Sequence, residues 1–244
     1  MTRSVLLVTA FLLISGGAYA ARGQFPDALR FTEVGCEKQG QCKLKEKFGY
    51  IDSTGVGWEA AAGNKTDGAS IPPDLKPYFG NSFDSDLIRA AVIHDHYCDR
   101  HVRRWYDTHW VFYDALLASG VDKGRAKLML AGILLGGPKW LWLTKGTACA
   151  TGRTCIQKVP TARLPGGSTT TNERGETVLA RPARYNSPEF IVEMEKAAAK
   201  IESSGDMGPE DLLELAKSIR PDDEFLNGPD EILIPPPPPG TVDR

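Results

Sequence analysis

The spacing of apolar residues along the chain predicts short strands first and helices afterwards. LRFTEV at 29–34, KLKEKFGYI at 43–51 and VGWEAA at 56–61 show partial alternation of apolar and polar residues and are separated by turn-forming residues. This pattern indicates short β-strands. From Leu87 to His101 the apolar residues recur every three or four positions instead, which indicates a helix.

Two more helices are predicted after this one. The first runs from Arg104 to Ser119 and ends at Gly120. The second, AKLMLAGILLGG at 126–137, is apolar on almost every side, and its length of about a dozen residues is typical of a buried core helix. We therefore expect an α+β fold, with a small antiparallel sheet packed on a three-helix core and a partly disordered helical C-terminal extension.

The two ends of the chain differ in character from this core. Residues 1–20 combine Arg3, an apolar run and a final A-Y-A, which is the layout of a cleaved secretory signal peptide. We therefore predict a globular domain at 21–155 in an exported protein, secreted or periplasmic, with no transmembrane span in the mature chain. Residues 156–186 are rich in Gly, Thr, Pro and Arg and are expected to be a linker. Residues 187–244 are expected to form a helical and proline-rich tail.

Charge and cysteine content narrow the class of protein. The net charge of −2 comes without a basic block, so nucleic acid is not an expected partner. Cys36 and Cys42, and likewise Cys149 and Cys155, are close enough in sequence to form two local disulfides. Cross-pairing is equally open, because spacing does not determine connectivity. An oxidising compartment favours such bonds.

All four histidines lie between positions 94 and 109. On a helix with about 100° per residue, His94, Cys98 and His101 share the face of Leu87. His96 points to the opposite side and is expected to face solvent. We take His94 as the centre of a candidate site, because it combines an apolar environment with nearby acids.

Two of these acids have predicted roles beside His94. Asp107, near the start of the next helix, is expected to hold one ring nitrogen of His94 so that the other can act as a base, with Asp114 as a second candidate. Asp95 either assists or binds a hard divalent cation such as calcium. Two alternatives remain open. His94, Cys98 and His101 have the spacing of helix-borne zinc ligands, and Cys98 could be a nucleophile activated by a histidine.

A turn-rich loop precedes the helix of His94. The backbone amides of TDGASIP at 66–72 and the Ser70 hydroxyl could line a pocket opposite His94, with Asp67 as a ligand or a turn-former. The same two side chains could equally satisfy local backbone amides. We expect Asp67, Ser70 and Tyr97 to contact a substrate.

Three motifs together resemble a bacterial and phage family catalogued as domain of unknown function 1353. They are TDGASIP at 66–72, HDHY at 94–97 and YDTHWVFYDAL at 106–116, and the resemblance covers about 28–140. It implies a shared fold and site more than an activity. The recurring positions of the family correspond here to Thr66, Asp67, Gly68, Ser70, Pro72, His94, Asp95 and Asp107.

A weaker resemblance is to secreted phospholipase A2 enzymes, which carry His-Asp on their active helix. It implies that His94 activates water, Asp95 binds calcium and Asp107 orients His94. The Tyr97-Cys98 order is the reverse of that family's, and no glycine-rich calcium loop precedes the helix. From these observations we expect a hydrolase acting on a lipid ester or another envelope component. The alternative is a non-enzymatic envelope or phage-derived accessory protein whose tail binds a protein partner.

Overall fold

A computed structural model of the chain describes residues 23–145 and 164–234. The predicted signal peptide, the pair Cys149 and Cys155 and the proline run after 234 lie outside the described residues. The observed fold is mixed α and β, with small sheets packed on helices, as expected.

The N-terminal part consists of two short antiparallel strand pairs. A 3-10 turn at Cys36–Gln39 leads into β1 (Cys42–Lys43), which pairs with β4 (Lys65–Thr66). Between them, β2 (Phe48–Ile51) pairs with β3 (Gly57–Ala60). The Cys36–Cys42 disulfide is present. The predicted strand LRFTEV contributes only an isolated bridge between Phe31 and Leu44.

The three-helix core is present where the sequence places it. A 3-10 turn at Pro73–Leu75 and the short α1 (Lys76–Phe79) lead into α2 (Ile88–Arg100), α3 (Trp105–Ala118) and α4 (Lys123–Gly136). The side chain of Asp122 accepts hydrogen bonds from two backbone amides and so caps α4. Leu130 and Leu134 are fully buried, which confirms α4 as a core helix.

The segment expected to be a linker folds into a sheet. β5 (Lys139–Lys145) pairs with β7 (Thr177–Arg181), which pairs with β6 (Ser168–Thr171), and β8 (Glu231–Ile234) runs parallel to β5 at the other edge. The linker prediction was wrong for 168–181. Val178 and Leu179 are buried in a sheet that includes strands from distant parts of the chain.

The expected helical tail packs onto the domain. α5 (Pro188–Ser203) and α6 (Pro209–Ile219) both lie against α4, and the short α7 (Glu224–Asn227) lies near β5. Phe190 of α5 and Leu212 of α6 are buried in the main core. Among the described residues, every helix is too short or too polar to cross a membrane.

Candidate functional site

A polar cavity of about 390 Å³ opens between α2 and the TDGASIP loop. Other parts of its wall come from α3 (Phe112), α4 (Ile133), Pro138 between α4 and β5, and the segment before α5 (Tyr185). Its chemistry-bearing lining includes Asp67, Ser70, His94, Asp95, Cys98 and Asp99. With Lys65, which also lines it, the cavity contains three carboxylates, one ammonium group, one imidazole and one thiol, and His94 is not sealed in the core.

His94 is held by a second histidine. Its Nε2 lies 3.0 Å from Nδ1 of His109, whose own Nε2 lies 2.9 Å from the carbonyl oxygen of Pro138. A carbonyl oxygen can only accept, so Nε2 of His109 carries its proton and Nδ1 is left with a lone pair. That lone pair can accept a hydrogen bond from the Nε2–H group of His94, or Nδ1 of His109 and Nε2 of His94 can bind one metal ion.

His109 takes the place that was predicted for Asp107. Asp107 and His109 are about 200° apart on a helix, so only one of them can face α2. His109 is fully buried, and the ring of Phe112, about 60° away on the same helix, packs against His94 in a tilted orientation, with ring centroids 5.0 Å apart. Asp107 instead lies near Arg104 and Asp230, and its partial burial raises its pKa. The predicted contact between Asp107 and His94 is not formed.

The second candidate partner, Asp114, is also committed elsewhere. Its carboxylate accepts from the Tyr50 hydroxyl at 2.6 Å and from the backbone amide of Ser53 at 2.9 Å. These bonds tie α3 to the β2–β3 hairpin. Asp114 is therefore a structural acid.

Asp95 lies in the cavity beside His94, as predicted. One of its oxygens is 3.7 Å from Nδ1 of His94, and the other accepts from the Thr66 hydroxyl at 2.5 Å. Burial raises the pKa of Asp95. The threonine of the TDGASIP motif thus fixes the carboxylate that faces His94.

Cys98 is one helical turn from His94 and contacts it. Its Sγ lies 3.4 Å from Nε2 of His94. Burial, with Asp95 and Asp99 nearby, raises the pKa of this thiol well above its ordinary value. A neutral thiol is a poor nucleophile, so the metal-free site does not favour the reading of Cys98 as a nucleophile.

His101 does not join the cluster, contrary to the zinc spacing read from the sequence. It ends α2 in a left-handed conformation, with φ of 53°, and its ring stacks 4.8 Å from Trp140. The possible ligand atoms that converge belong to His94, Cys98 and His109, all within 4.8 Å of one another. Sequence spacing missed His109 because this residue comes from a different helix.

His96 is buried rather than solvent-facing. It is 6% exposed, and its Nδ1 lies 3.2 Å from the side-chain oxygen of Asn64. The expectation failed because the β3–β4 turn covers this face of α2. Burial, with Arg100 close by, lowers the pKa of His96 to about 4.

The TDGASIP loop lines the cavity with two of its predicted side chains. The Ser70 hydroxyl donates to Asp67 at 2.8 Å, and both residues contact the cavity. Gly68 has φ of 81°, and an added Cβ would lie 2.4 Å from the carbonyl oxygen of Ser82, so this position requires glycine.

Tyr97 points elsewhere. Its hydroxyl accepts from the Glu59 amide, which indicates a structural role.

An apolar slot adjoins the polar cavity. It shares Ser70, Phe112 and Tyr185 with the cavity and continues between Phe79, Met129 and Phe190, with a volume of about 40 Å³. Tyr185 lies in the stretch that the sequence suggested to be a linker, so its place in the site could not be anticipated. The site therefore offers a polar chamber next to a narrow apolar recess.

Comparison with known proteins assigns the central part of the chain. The model of the family described as "Protein of unknown function (DUF1353)" matches residues 42–133. Over residues 42–133 the chain is therefore similar to this family. The resemblance inferred from the three motifs is thus confirmed, and the matched DUF1353 region contains Asp67, His94, Asp95, Cys98 and His109.

Two curated relatives extend the comparison. Uncharacterized protein y4iH of Sinorhizobium fredii (strain NBRC 101917 / NGR234) is 50% identical over 137 residues, which cover 54% of this chain and 57% of that protein. Uncharacterized protein y4jT of the same strain is 33% identical over 167 residues, covering 66% and 46%. The chain thus spans about half the length of the curated relatives it matches. No solved structure matches it significantly.

Proposed function

We propose that the protein is a hydrolase whose active site is the cavity beside His94. The observation that supports this proposal is that the His94 ring contacts a buried residue on one side and faces the cavity on the other. Its ring is held through His109 by the Pro138 carbonyl and also lines an open chamber. An imidazole ring can activate a water molecule when it has a fixed orientation, lies next to a carboxylate and is accessible to solvent.

The shape of the cavity supports an ester with an apolar group as the substrate. The apolar slot beside the chamber could receive part of an acyl chain, while the scissile bond lies near His94. Asp67, Asp95 and Asp99 disfavour an anionic group at the same point unless a cation offsets them. A lipid ester or another ester of the cell envelope has this combination of features.

An exported location, secreted or periplasmic, is part of the proposal. It rests on the signal-like pattern of residues 1–20. The Cys36–Cys42 disulfide fits an oxidising compartment.

The test compares two histidine variants with the full chain. Hydrolysis of nitrophenyl esters with acyl chains of two to twelve carbons is measured for the wild type, His94→Ala and His101→Asn. His101 is the matched control, because it follows α2 but stacks on Trp140 outside the cavity, and asparagine tolerates its left-handed backbone.

We expect His94→Ala to lower kcat/KM by at least about 100-fold, the usual scale for loss of a proton-transfer group, and His101→Asn to change it little. Circular dichroism establishes that both variants are folded. A folded His94→Ala protein with undiminished hydrolysis would contradict the proposal. That result would favour the non-enzymatic accessory role.

A further inference from the structure

We infer that Nε2 of His94, Sγ of Cys98 and Nδ1 of His109 hold one transition-metal ion, with zinc as the best match, and that a water molecule from the cavity fills its fourth position. The inference rests on the proposed function and deepens it by naming the metal ion as the group that activates water, so that His94 acts as a metal ligand and not as the proton acceptor. It differs from the calcium site expected at Asp95 in its ligands and its metal.

The separations of the donor atoms suit a tetrahedral ion. Nε2 of His94 lies 3.0 Å from Nδ1 of His109 and 3.4 Å from Sγ of Cys98. All three donor atoms fall within 4.8 Å of one another. Zinc bonds of about 2.0 Å to nitrogen and 2.3 Å to sulfur place such ligand atoms about 3.3–3.6 Å apart. The two measured separations are within about 0.5 Å of these values.

Both imidazoles have the outer contacts that metal-ligating histidines have. The Pro138 carbonyl accepts the Nε2 proton of His109 and so presents the Nδ1 lone pair to the ion. When His94 binds through Nε2, its Nδ1 carries the proton and faces Asp95 at 3.7 Å. Asp95 is itself held by Thr66. His109 thus has the carbonyl–histidine–metal arrangement, and His94 has a carboxylate 3.7 Å from its outer nitrogen, beyond hydrogen-bond distance.

The charge around the cluster favours a cation. Asp67, Asp95 and Asp99 line the same chamber as His94 and Cys98. Binding the ion releases the thiol proton of Cys98 to solvent, and the thiolate then neutralises one of the two positive charges. The nearby carboxylates compensate the other.

The types and number of ligand atoms indicate which metal binds and what function it serves. Two imidazoles and one thiolate suit zinc and related transition metals, whereas calcium requires oxygen ligands. Three protein ligands leave one coordination position open, which is the composition of catalytic rather than structural zinc sites. Since His94 and Cys98 both line the cavity, water can reach that position. A zinc-bound water has a pKa of about 7 and supplies hydroxide at neutral pH.

The test is metal binding by the full chain. Protein purified without chelator is analysed for bound metal, and chelated protein is titrated with Co²⁺ and Zn²⁺. We expect one equivalent of metal and, with Co²⁺, a thiolate charge-transfer band together with visible bands of tetrahedral intensity. A folded protein that takes up no stoichiometric metal would overturn the inference.

Three variants assign the ligands. We expect Cys98→Ser to abolish the charge-transfer band, and His109→Asn to weaken Co²⁺ binding by at least about tenfold. His101→Asn, the matched control directly after the same helix, should bind like the wild type. Metal uptake with an unchanged band in Cys98→Ser, or with unchanged affinity in His109→Asn, would overturn this ligand set.

Two readouts separate this inference from the proposed function. If His94→Ala abolishes ester hydrolysis in a protein that binds no metal, the hydrolase proposal stands and the metal inference fails. If one equivalent binds through Cys98 and His109 and no ester is hydrolysed, the metal inference stands and the hydrolase proposal fails. Loss of hydrolysis on chelation and its recovery with Zn²⁺ supports both.

Discussion

Nε2 of His94 on α2 lies 3.0 Å from Nδ1 of His109 on α3. The other nitrogen of His109 is 2.9 Å from the carbonyl of Pro138, which lies between α4 and β5. This chain of contacts connects α2, α3 and the segment that follows α4. A side chain in such a position has its protonation fixed by the fold, because the carbonyl accepts and never donates.

The first prediction concerns the tautomer of His109. At neutral pH we expect a neutral ring protonated on Nε2, since burial lowers the pKa of His109 well below its ordinary value and Pro138 requires a donor. Long-range proton–nitrogen NMR of labelled protein distinguishes the two tautomers. The same tautomer is expected with and without metal. A ring protonated on Nδ1 at pH 7 would contradict both the contact with Pro138 and the metal site.

The sequence predicted the centre of this site but not its partners. Helical phase correctly placed His94 and Cys98 on one buried face, and the His-Asp pair marked Asp95. Which residue of α3 reaches His94 depends on the rotation of α3 about its axis, and no periodicity in α3 reveals that rotation. His109 and Asp107 are two positions apart on α3. An error in the assumed rotation of this helix therefore put Asp107 where His109 lies.

The second prediction is an acid-dependent loss of stability that involves His96. Its pKa falls from 6.5 to about 4 on folding, so between these values the unfolded chain binds a proton that the folded protein does not. Stability is therefore fully present above about pH 6.5 and falls as the pH drops towards 4, by up to about 3 kcal/mol from this group. Urea unfolding at several pH values measures this slope.

The variant His96→Gln isolates the contribution. Its slope between pH 6 and 4.5 should be smaller than that of the wild type by about one proton. The comparison between the two proteins is needed because the raised pKa values of Asp95 and Asp99 act in the opposite direction. Identical slopes would show that His96 is accessible to protons in the folded state.

The third prediction concerns the packing of α5 on α4. A Cβ at Gly136 would lie 2.5 Å from the Phe190 ring and 2.7 Å from Tyr185, so Gly136→Ala should destabilise the fold by about 1–3 kcal/mol. Gly132 on the same helix is the matched control. Its added Cβ meets only the flexible Met194 side chain at 3.4 Å, and alanine gains up to about 1 kcal/mol of helix propensity. Chemical unfolding should therefore rank the two variants in opposite directions relative to the wild type. Equal effects would refute close packing at Gly136.

The helices, whose contacts join residues close in sequence, could be predicted. The strand pairings between residues far apart in sequence could not. Helical periodicity identified α2, the apolar segment that ends at Gly120 identified α3, and the apolar run at 126–137 identified α4. The β6–β7 hairpin was missed because STTT carries no apolar alternation, and its stability depends on pairing with β5, more than thirty residues earlier. The register of β8 against β5 likewise joins residues about ninety positions apart. Such pairings leave no signal in a local window.

The last prediction tests whether the C-terminal segment is part of the domain. Asp223 is buried, and its carboxylate accepts two bonds from the guanidinium of Arg181 on β7, at 2.9 and 2.8 Å, and contacts Arg220 at 2.9 Å. It also caps α7 through the amides of Phe225 and Leu226. Removing this acid leaves Arg181 without its carboxylate partner, whereas Arg220 keeps Glu193 and the Leu135 carbonyl, so Asp223→Ala should cost about 3 kcal/mol.

The neighbouring acid provides the control for Asp223. Asp222 is exposed, and Asp222→Ala should change the free energy of unfolding by less than about 0.5 kcal/mol. If the segment is integral, unfolding of Asp223→Ala followed by tryptophan fluorescence and by circular dichroism shifts together, because the loss is felt by the whole domain. A second, separate transition at low denaturant, with the main transition unmoved, would mean that the C-terminal segment unfolds independently. That outcome would agree with the helical and proline-rich tail expected from the sequence.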